Sequence, residues 1–379
     1  MKTDSHESVL DPPARSAWAL EPGVHATNGD GLPAGFSVSG VVLPESGPAR
    51  DGILATIGNT PLVRLRRALG GVPFRLFAKL EAFNPGGSIK DRPALRIISD
   101  ALARGEIDAG TTVVEASSGN MGIGLAQVCA YQGLRFVCVV DARTTTQNID
   151  ILRAYGAIVD VVTEPHPVTG DLLQAKLDRV RQWLETEPNC FWPNQYANHN
   201  NSRSHHRTMA EIVHQAGGHV DYLFCATATC GTLRGCAEYV RQTGLRTRIV
   251  AVDAVGSVIF GGRSCKRLIP GHGTARMPEL HDPSLGDQFV QVTDLDCVVG
   301  CRRLLREEAI LAGGSSGGIL MALHALRDEI EPHATCVLVF PDRGERYLDT
   351  IFSDAWVREH FGAAQLAPFL SPQPTRPTR

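Results

Sequence analysis

The chain is predicted to be an α/β protein with parallel sheets, divided between two lobes. From residue 53 onward, short β-branched runs alternate with longer amphipathic ones, the pattern that builds parallel sheets covered by helices. The 379 residues are 43% hydrophobic and only 20% charged, enough to bury a large core and more than one hydrophobic centre needs. Glycine- and serine-rich stretches fall between the two kinds of run, where strands turn into helices.

Taken in order, "FRLFAKLE" (74–81) reads as a strand, followed by the loop "NPGGSIK" and a helix over 94–105. Strand 111–116, loop "SSGN" (117–120) and helix 121–133 come next, then strand 135–140, helix 148–156 and strand 157–162. A long helix over 171–187 leads into "FWPNQYANHNNSRSH", read as a crossing back to the first lobe. Strand 221–227, helix 231–243 and strand 248–255 precede a long loop, helix 301–310, loop "GGSSGG" and strand 335–340. Ligands bind such sheets at the loops on the carboxyl ends of the strands. Residues 1–49, rich in Pro, Gly, Ser and Ala without a sustained period, read as a partly disordered extension.

Composition narrows the partners. With a net charge of −3 and no Lys/Arg run, neither nucleic acid nor a membrane surface is expected. No stretch has the length of a membrane span and the start lacks a signal peptide's apolar region, so a cytoplasmic location is expected. The ten cysteines are scattered, and Cys129, Cys138, Cys225 and Cys336 sit in apolar runs as small core residues. Cys297 and Cys301 could share a helix face, but no second pair accompanies them, and no metal is expected.

Three loops could hold an anion at a helix start: "GGS" before Lys90, "SSGN" at 117–120 and "TATCGT" at 227–232. Each alone is equally an ordinary strand-to-helix turn. A dinucleotide fingerprint is excluded by spacing, since "GNMGIG" places its glycines in the wrong order. The chain has only five lysines, Lys2, Lys79, Lys90, Lys176 and Lys266, arginine supplying the other positive charge. Only an amine forms a Schiff base with a carbonyl cofactor. Lys79 reads as a strand residue and Lys176 as part of a charged helix, which leaves Lys90 as the candidate. Ser88 and Asp91 are expected to cap the helix that follows it.

In order along the chain, "IGNTPLVRL", "LEAFNPGGSIKDRPA", "EASSGNMGIGLA", "TCGTLRG", "GGSSGG" and "DRGERYL" resemble the cysteine synthase group of the β-family of pyridoxal-phosphate enzymes. The resemblance implies a fold like the tryptophan synthase β-subunit (fold-type II), two three-layer α/β domains with mostly parallel sheets. Residues 50–90 plus 195–379 would form a large cofactor-binding domain and residues 91–194 a small, mobile substrate-binding domain. The cofactor implied is pyridoxal 5'-phosphate. By the same resemblance Lys90 is the Schiff-base lysine, Asn120 bonds the cofactor's ring hydroxyl, Ala228, Thr229, Cys230, Gly231 and Thr232 cradle its phosphate, and Ser315 meets the pyridine nitrogen. Ser117, Ser118, Gly119 and Met121, with Gln195, would bind the substrate carboxylate. A homodimer is implied as well.

Ala228 and Cys230 depart from the group's glycine-rich phosphate loop. The segments "DAVGSVIFGG", "IPGHGTARMPEL" and "FPDRGERYLDTIFSDAW" are more similar to the diaminopropionate-biosynthesis branch. Members of that branch couple O-phospho-L-serine to L-glutamate, giving N-(2-amino-2-carboxyethyl)-L-glutamate for siderophores or other peptide natural products. Arg143, Arg207, Arg234 and Arg343 are candidates for the extra anion site this needs. The alternatives are a cysteine synthase using sulfide with O-acetylserine or O-phosphoserine, and a non-catalytic pyridoxal-phosphate-binding regulatory protein.

Overall fold

Strands buried on both faces, joined by helices, organise the chain into two sheets. The structure, a computed structural model, describes residues 49–362; all but the last residue of the expected extension over 1–49 lies outside them. The first sheet takes the order β1 (Leu62–Arg64), β2 (Arg75–Leu80), β10 (Thr335–Phe340), β7 (Tyr222–Ala226), β8 (Arg248–Ala254), β9 (Gln288–Val292). Only β1 is antiparallel to its neighbour. The second, all-parallel sheet runs β5 (Ile158–Val162), β4 (Arg135–Asp141), β3 (Thr112–Ala116), β6 (Cys190–Phe191).

Alternation decides what each face meets. On one face of the six-stranded sheet, Phe224, Val250 and Leu338 pack with Cys297, Leu304, Ile319 and Leu320 of α7 (Asp294–Glu308) and α8 (Gly314–Leu326). On the other, Leu223, Ile249, Val337 and Val339 meet Met209, Ile212 and Leu233 of α5 (His199–Gln215) and α6 (Gly231–Thr243). The four-stranded sheet repeats the arrangement. Val113, Cys138 and Val140 pack under α1 (Asp91–Ala103), α2 (Asn120–Gln132) and α3 (Thr146–Ala154), while Val114, Val137 and Val139 face Leu177 and Val180 of α4 (Leu172–Thr186). Both halves are three-layered, as the α/β prediction requires. A last helix, α9 (Asp354–Phe361), docks Val357 onto the first core.

Four expectations are corrected. The crossing segment continues into the seventeen-residue α5, capped by Asn198, whose side chain accepts from Asn200 N. Over its first two turns the buried face carries Asn200, Asn201, Ser202, Ser204 and His205, so no apolar stripe announces it until Met209 and Ile212. "GGSSGG" is the first turn of α8, not a loop. A Cβ on Gly317 would collide with Cys297 O and one on Gly300 with Gly317 O, so α7 and α8 meet backbone to backbone and the glycines serve packing. The helix read over 301–310 starts at Asp294 behind a capping box of Thr293 and Asp296. Finally, part of the long loop forms β9, an edge strand with a largely exposed side-chain pattern.

Beneath the end of β2 lies a buried ionic cluster. Glu81 accepts from Thr60 Oγ1 (2.7 Å), Asn84 Nδ2 (2.8 Å) and Arg92 Nε (2.6 Å). Glu211 of α5 accepts from Arg92 NH2 (2.7 Å) and from Lys79 Nζ (2.8 Å), which also reaches Thr60 O and Gln215. Against the upward push of burial, Arg92 and Lys79 hold the Glu211 carboxyl down at about 2. Among the described residues no helix is long and apolar enough to cross a membrane.

Removing one member of a buried ion cluster strands its partners' charges. Arg92→Met is expected to lower unfolding free energy by about 3–5 kcal/mol, measured by urea denaturation at neutral pH.

Candidate active site

The carboxyl ends of β2, β10 and β7, neighbours in the first sheet, carry the loops 81–90, 341–347 and 227–230. Those of β3 and β6 in the second sheet carry 117–119 and 192–198. Asn120 Nδ2 donates to Asp342 Oδ2 at 2.7 Å, which joins the two sets of loops in one site.

Lys90 stands at the start of α1, and the capping expected there is corrected. Its neighbours hold the loop instead: Ser88 Oγ accepts from Lys90 N (3.1 Å) and Asp91 Oδ2 from Gly86 N (2.6 Å). Ile89 N donates to Pro341 O at 2.7 Å, pinning the loop to the end of β10. The half-buried Lys90 amine has no hydrogen bond or ion pair among the described residues. Burial lowers its pKa, with Asp342 pulling the other way, so the neutral nucleophilic form gains. Two other lysines of the fold are engaged, and Lys266 is exposed. Lys79 sits in the ionic cluster, and Lys176, read as part of a charged helix, is buried against Asp141 at 2.6 Å.

The loop after β7 opens α6. The amides of Ala228, Thr229, Cys230 and Thr232 have no acceptor among the described residues, a set of donors suited to an anion at a helix start. Gly231 is obligatory, because a Cβ would collide with the Asn201 side chain, which itself donates to Thr229 Oγ1 and to Gln195 O. Ala228 needs no positive φ, whereas Cys230 has φ 63°, a left-handed conformation that costs a side-chain-bearing residue about 1–2 kcal/mol. Burial pushes its thiol up to about 12, so it is not a thiolate nucleophile. Thr232 approaches the buried His205, whose pKa burial and Lys90 drive well down.

In the loop after β3, Ser117 Oγ accepts from Gly119 N (3.4 Å) and Gly122 N (3.0 Å). Ser118 is bound from three sides: its hydroxyl donates to Asp141 Oδ2 (3.0 Å) and accepts from Lys176 Nζ (3.0 Å), and Asn148 Nδ2 donates to its carbonyl. Met121 turns its side chain into the core. The amides of Ser118, Asn120 and Met121 are left without acceptors among the described residues. Gln195 is buried, its main chain tied to Glu115 Oε2 and Asn201. Ser315, also buried, lies in the first turn of α8, next to the Gly313 amide that donates to Asp342 O. Of the candidate arginines, Arg207 pairs with Glu211 and Arg234 with Glu238. Arg143 is exposed beside Asp141, and Arg343 lies against Gly87, donating to Ala82 O. No group of three His, Cys, Asp or Glu among the described residues is placed to hold a metal.

Residues 53–342 match the family described as "Pyridoxal-phosphate dependent enzyme". The chain belongs to that family. It is 45% identical over 306 residues to the N-(2-amino-2-carboxyethyl)-L-glutamate synthase of Ralstonia nicotianae, covering 80% of this chain and 90% of the relative. To the enzyme of that name from Cupriavidus metallidurans it is 44% identical over 330 residues, 86% of this chain and 96% of the relative. The crystal structure of O-acetyl serine sulfhydrylase isoform 3 from Entamoeba histolytica superposes with a TM-score of 0.77 at 28% identity, covering 88% of this chain and 99% of that one. The cofactor of this family of enzymes is pyridoxal 5'-phosphate, and the residues present suit it: a partnerless half-buried amine, a helix start of unpaired amides, and a buried serine in the first turn of α8.

Sequence reasoning missed Asp342 and Arg346, which bond Asn120 from more than two hundred residues away. The motif "DRGERYL" contains both, but nothing in it shows what they face.

Two carboxyls near the site are raised to about 7 by burial: Asp91, which braces the Lys90 loop, and Glu115, which braces Gln195. Their folded pKa values lie above the ordinary carboxylate range, so the stability they contribute is lost as pH rises through about 7. His272, pushed down to about 4 by burial, acts oppositely, but only below the ordinary imidazole range. As pH rises toward about 7 these two carboxyls should lower the melting temperature, an effect that levels off above it, where folded and unfolded states are both ionised. Asp91→Asn, read by calorimetry, should flatten that slope; an unchanged slope would rule Asp91 out as its source.

Proposed function

We propose that this enzyme joins O-phospho-L-serine and L-glutamate to give N-(2-amino-2-carboxyethyl)-L-glutamate and phosphate. The observation that carries the reading is the 44–45% identity to two enzymes of that name, spread over at least 90% of their length. In support, among the described residues a half-buried lysine amine without a partner lies at the meeting of the strand ends, with two separate sets of unpaired amides.

Pyridoxal 5'-phosphate, when bound, supplies the electron sink that acidifies the α C–H of an amino acid and lets a β-substituent leave. The residues divide the remaining work. Lys90 would hold the cofactor covalently, and its amine, when free, is the base placed to take the substrate's α-proton. The amides of Ala228, Thr229, Cys230 and Thr232, in the turn that Gly231 allows, would hold the cofactor's phosphate, Asn120 its ring hydroxyl, and Ser315 the pyridine nitrogen. A hydroxyl there leaves the ring neutral, a weaker sink that favours elimination over transamination. The amides of Ser118, Asn120 and Met121 bind the α-carboxylate, with Gln195 assisting. In this reading Ser117, Ser118 and Gly119 shape the loop, because the Ser118 hydroxyl proton is already given to Asp141. The Cβ–O bond breaks with its electron pair going to phosphate. Glutamate's amine lone pair forms the new Cβ–N bond, the amine's proton passes to solvent, and Lys90 returns the proton to Cα. Arg343, beside the Lys90 loop, is the arginine best situated for the departing phosphate.

Residues 91–194 act as the mobile substrate-binding domain and residues 50–90 with 195–379 as the cofactor domain. A product passing to L-2,3-diaminopropionate for siderophores or other peptide natural products, and a cytoplasmic homodimer, belong to the same reading.

Purified enzyme given O-phospho-L-serine with equimolar glutamate and sulfide should release phosphate and form the glutamate adduct. Cysteine as the main product would overturn the assignment in favour of a cysteine synthase. Lys90→Ala should lose the cofactor's long-wavelength absorbance and at least about 10²-fold in rate, the scale of a lost acid–base group; retention of either would remove Lys90 from its role.

A further inference from the structure

Asp342 is a buried carboxylate to which the proposed reaction gives no part. It follows β10 by two residues, its main chain bridges to Ser88, and its carbonyl accepts from Gly313 N at 3.1 Å. It thus lies between the Lys90 loop and the helix carrying Ser315. Its Oδ2 accepts from Asn120 Nδ2 (2.7 Å) and from the Tyr347 hydroxyl (2.6 Å), while Oδ1 is buried without a partner.

The other end of the Asn120 amide meets the opposite kind of group, because Asn120 Oδ1 accepts from the Arg346 guanidinium. A carboxylate oxygen that already accepts Tyr347 offers no proton, and a guanidinium has no lone pair to give. Flipping the amide would set a carbonyl oxygen against Asp342 and an NH2 against Arg346. The two partners, 222 and 226 residues away in sequence, therefore fix the polarity of one primary amide. Each amide end keeps one capacity unspent, a second Nδ2 hydrogen and a second Oδ1 lone pair.

We propose that Asp342, together with Arg346, is a positioning residue that orients the Asn120 amide so that its free N–H, rather than its carbonyl, is presented to the ring hydroxyl oxygen of the cofactor. The inference rests on the proposed contact between Asn120 and that hydroxyl. An N–H donor favours the ionised form of the oxygen, whereas a carbonyl or nothing favours the protonated one. Asp342 and Arg346 thereby act on the cofactor without touching it.

The readout is the pH-dependent absorbance transition of the bound cofactor in reconstituted enzyme, recorded without substrate. Asn120→Ala should move its midpoint by about one pH unit, the scale of one hydrogen bond to the ionised form. Asp342→Asn, which can both donate and accept, should move it part of the way in the same direction. The double variant Asp342→Asn/Arg346→Gln, which removes one charge of each sign, should reach the Asn120→Ala position. Introduced together with Asn120→Ala, neither change should move it further. A midpoint that follows Asn120→Ala but ignores Asp342→Asn and the double variant overturns the proposal while leaving the Asn120 contact standing. A shift from Asp342→Asn that persists in full alongside Asn120→Ala overturns it too, because the carboxylate would then act directly through its field. If Asn120→Ala leaves the midpoint unmoved, the contact with the hydroxyl and the proposal fall together. Should Asp342→Asn not fold, Arg346→Gln alone tests the same amide from its other end.

Discussion

Two buried carboxylates, Glu81 and Glu211, bridged by Arg92, with Lys79 paired to Glu211, set where everything else in the site can be. Through them the end of β2, the start of α1, the segment around Thr60 and the helix α5 are tied at one point. Lys90 is two residues from Arg92, so its main-chain position follows from the cluster beneath it. An apolar contact could be as strong, since the desolvation of buried ions offsets much of their attraction. What the ions add is direction. Each oxygen of Glu81 and Glu211 is matched to a particular donor, and a slip of the loop by one residue would leave charges unpaired in the interior.

The same comparison explains why the amine of one lysine is free and that of another is not. Burial pulls the pKa of both Lys79 and Lys90 downward. Lys79 is saturated by Glu211, Gln215 and Thr60 O, and its amine has no lone pair to offer while it donates to all three. Lys90 is half-buried beside unpaired donors, with the charge of Asp342 nearby. Lys176 is a third case, an amine used to hold Asp141 and Ser118, and so the shape of the loop after β3.

Much of this was legible in the sequence. The buried strands of both sheets show as β-branched runs because both faces are covered, and the glycine-serine loops mark their carboxyl ends. Lys90 stood out by the scarcity of lysine. The elements that escaped have physical reasons. α5 buries amides and hydroxyls, so hydrophobic periodicity is absent where it begins; α8 opens on glycines chosen for contact with α7, and reads as a turn. Ser88 and Asp91 have the composition of a cap, yet their bonds go to the backbone at positions 90 and 86 because the loop doubles back there. Asp342, Arg346 and the pairing of Lys176 depend on segments brought together only by the fold, and local composition carries no trace of them.

The bond between Asn120 and Asp342 has a further consequence, because its two ends belong to different sheets. Asn120 opens a helix packed on the four-stranded sheet, and Asp342 follows a strand of the six-stranded one. A hydrogen bond is lost once its atoms part by about an ångström beyond contact. If the sheets draw apart by that distance, the amide loses its orienting carboxylate while Lys90, anchored to the six-stranded sheet through Ile89 and Pro341, stays where it was. Under the proposed reading, the polarity of the amide would therefore depend on the contact between the two sheets, while the position of the amine would not.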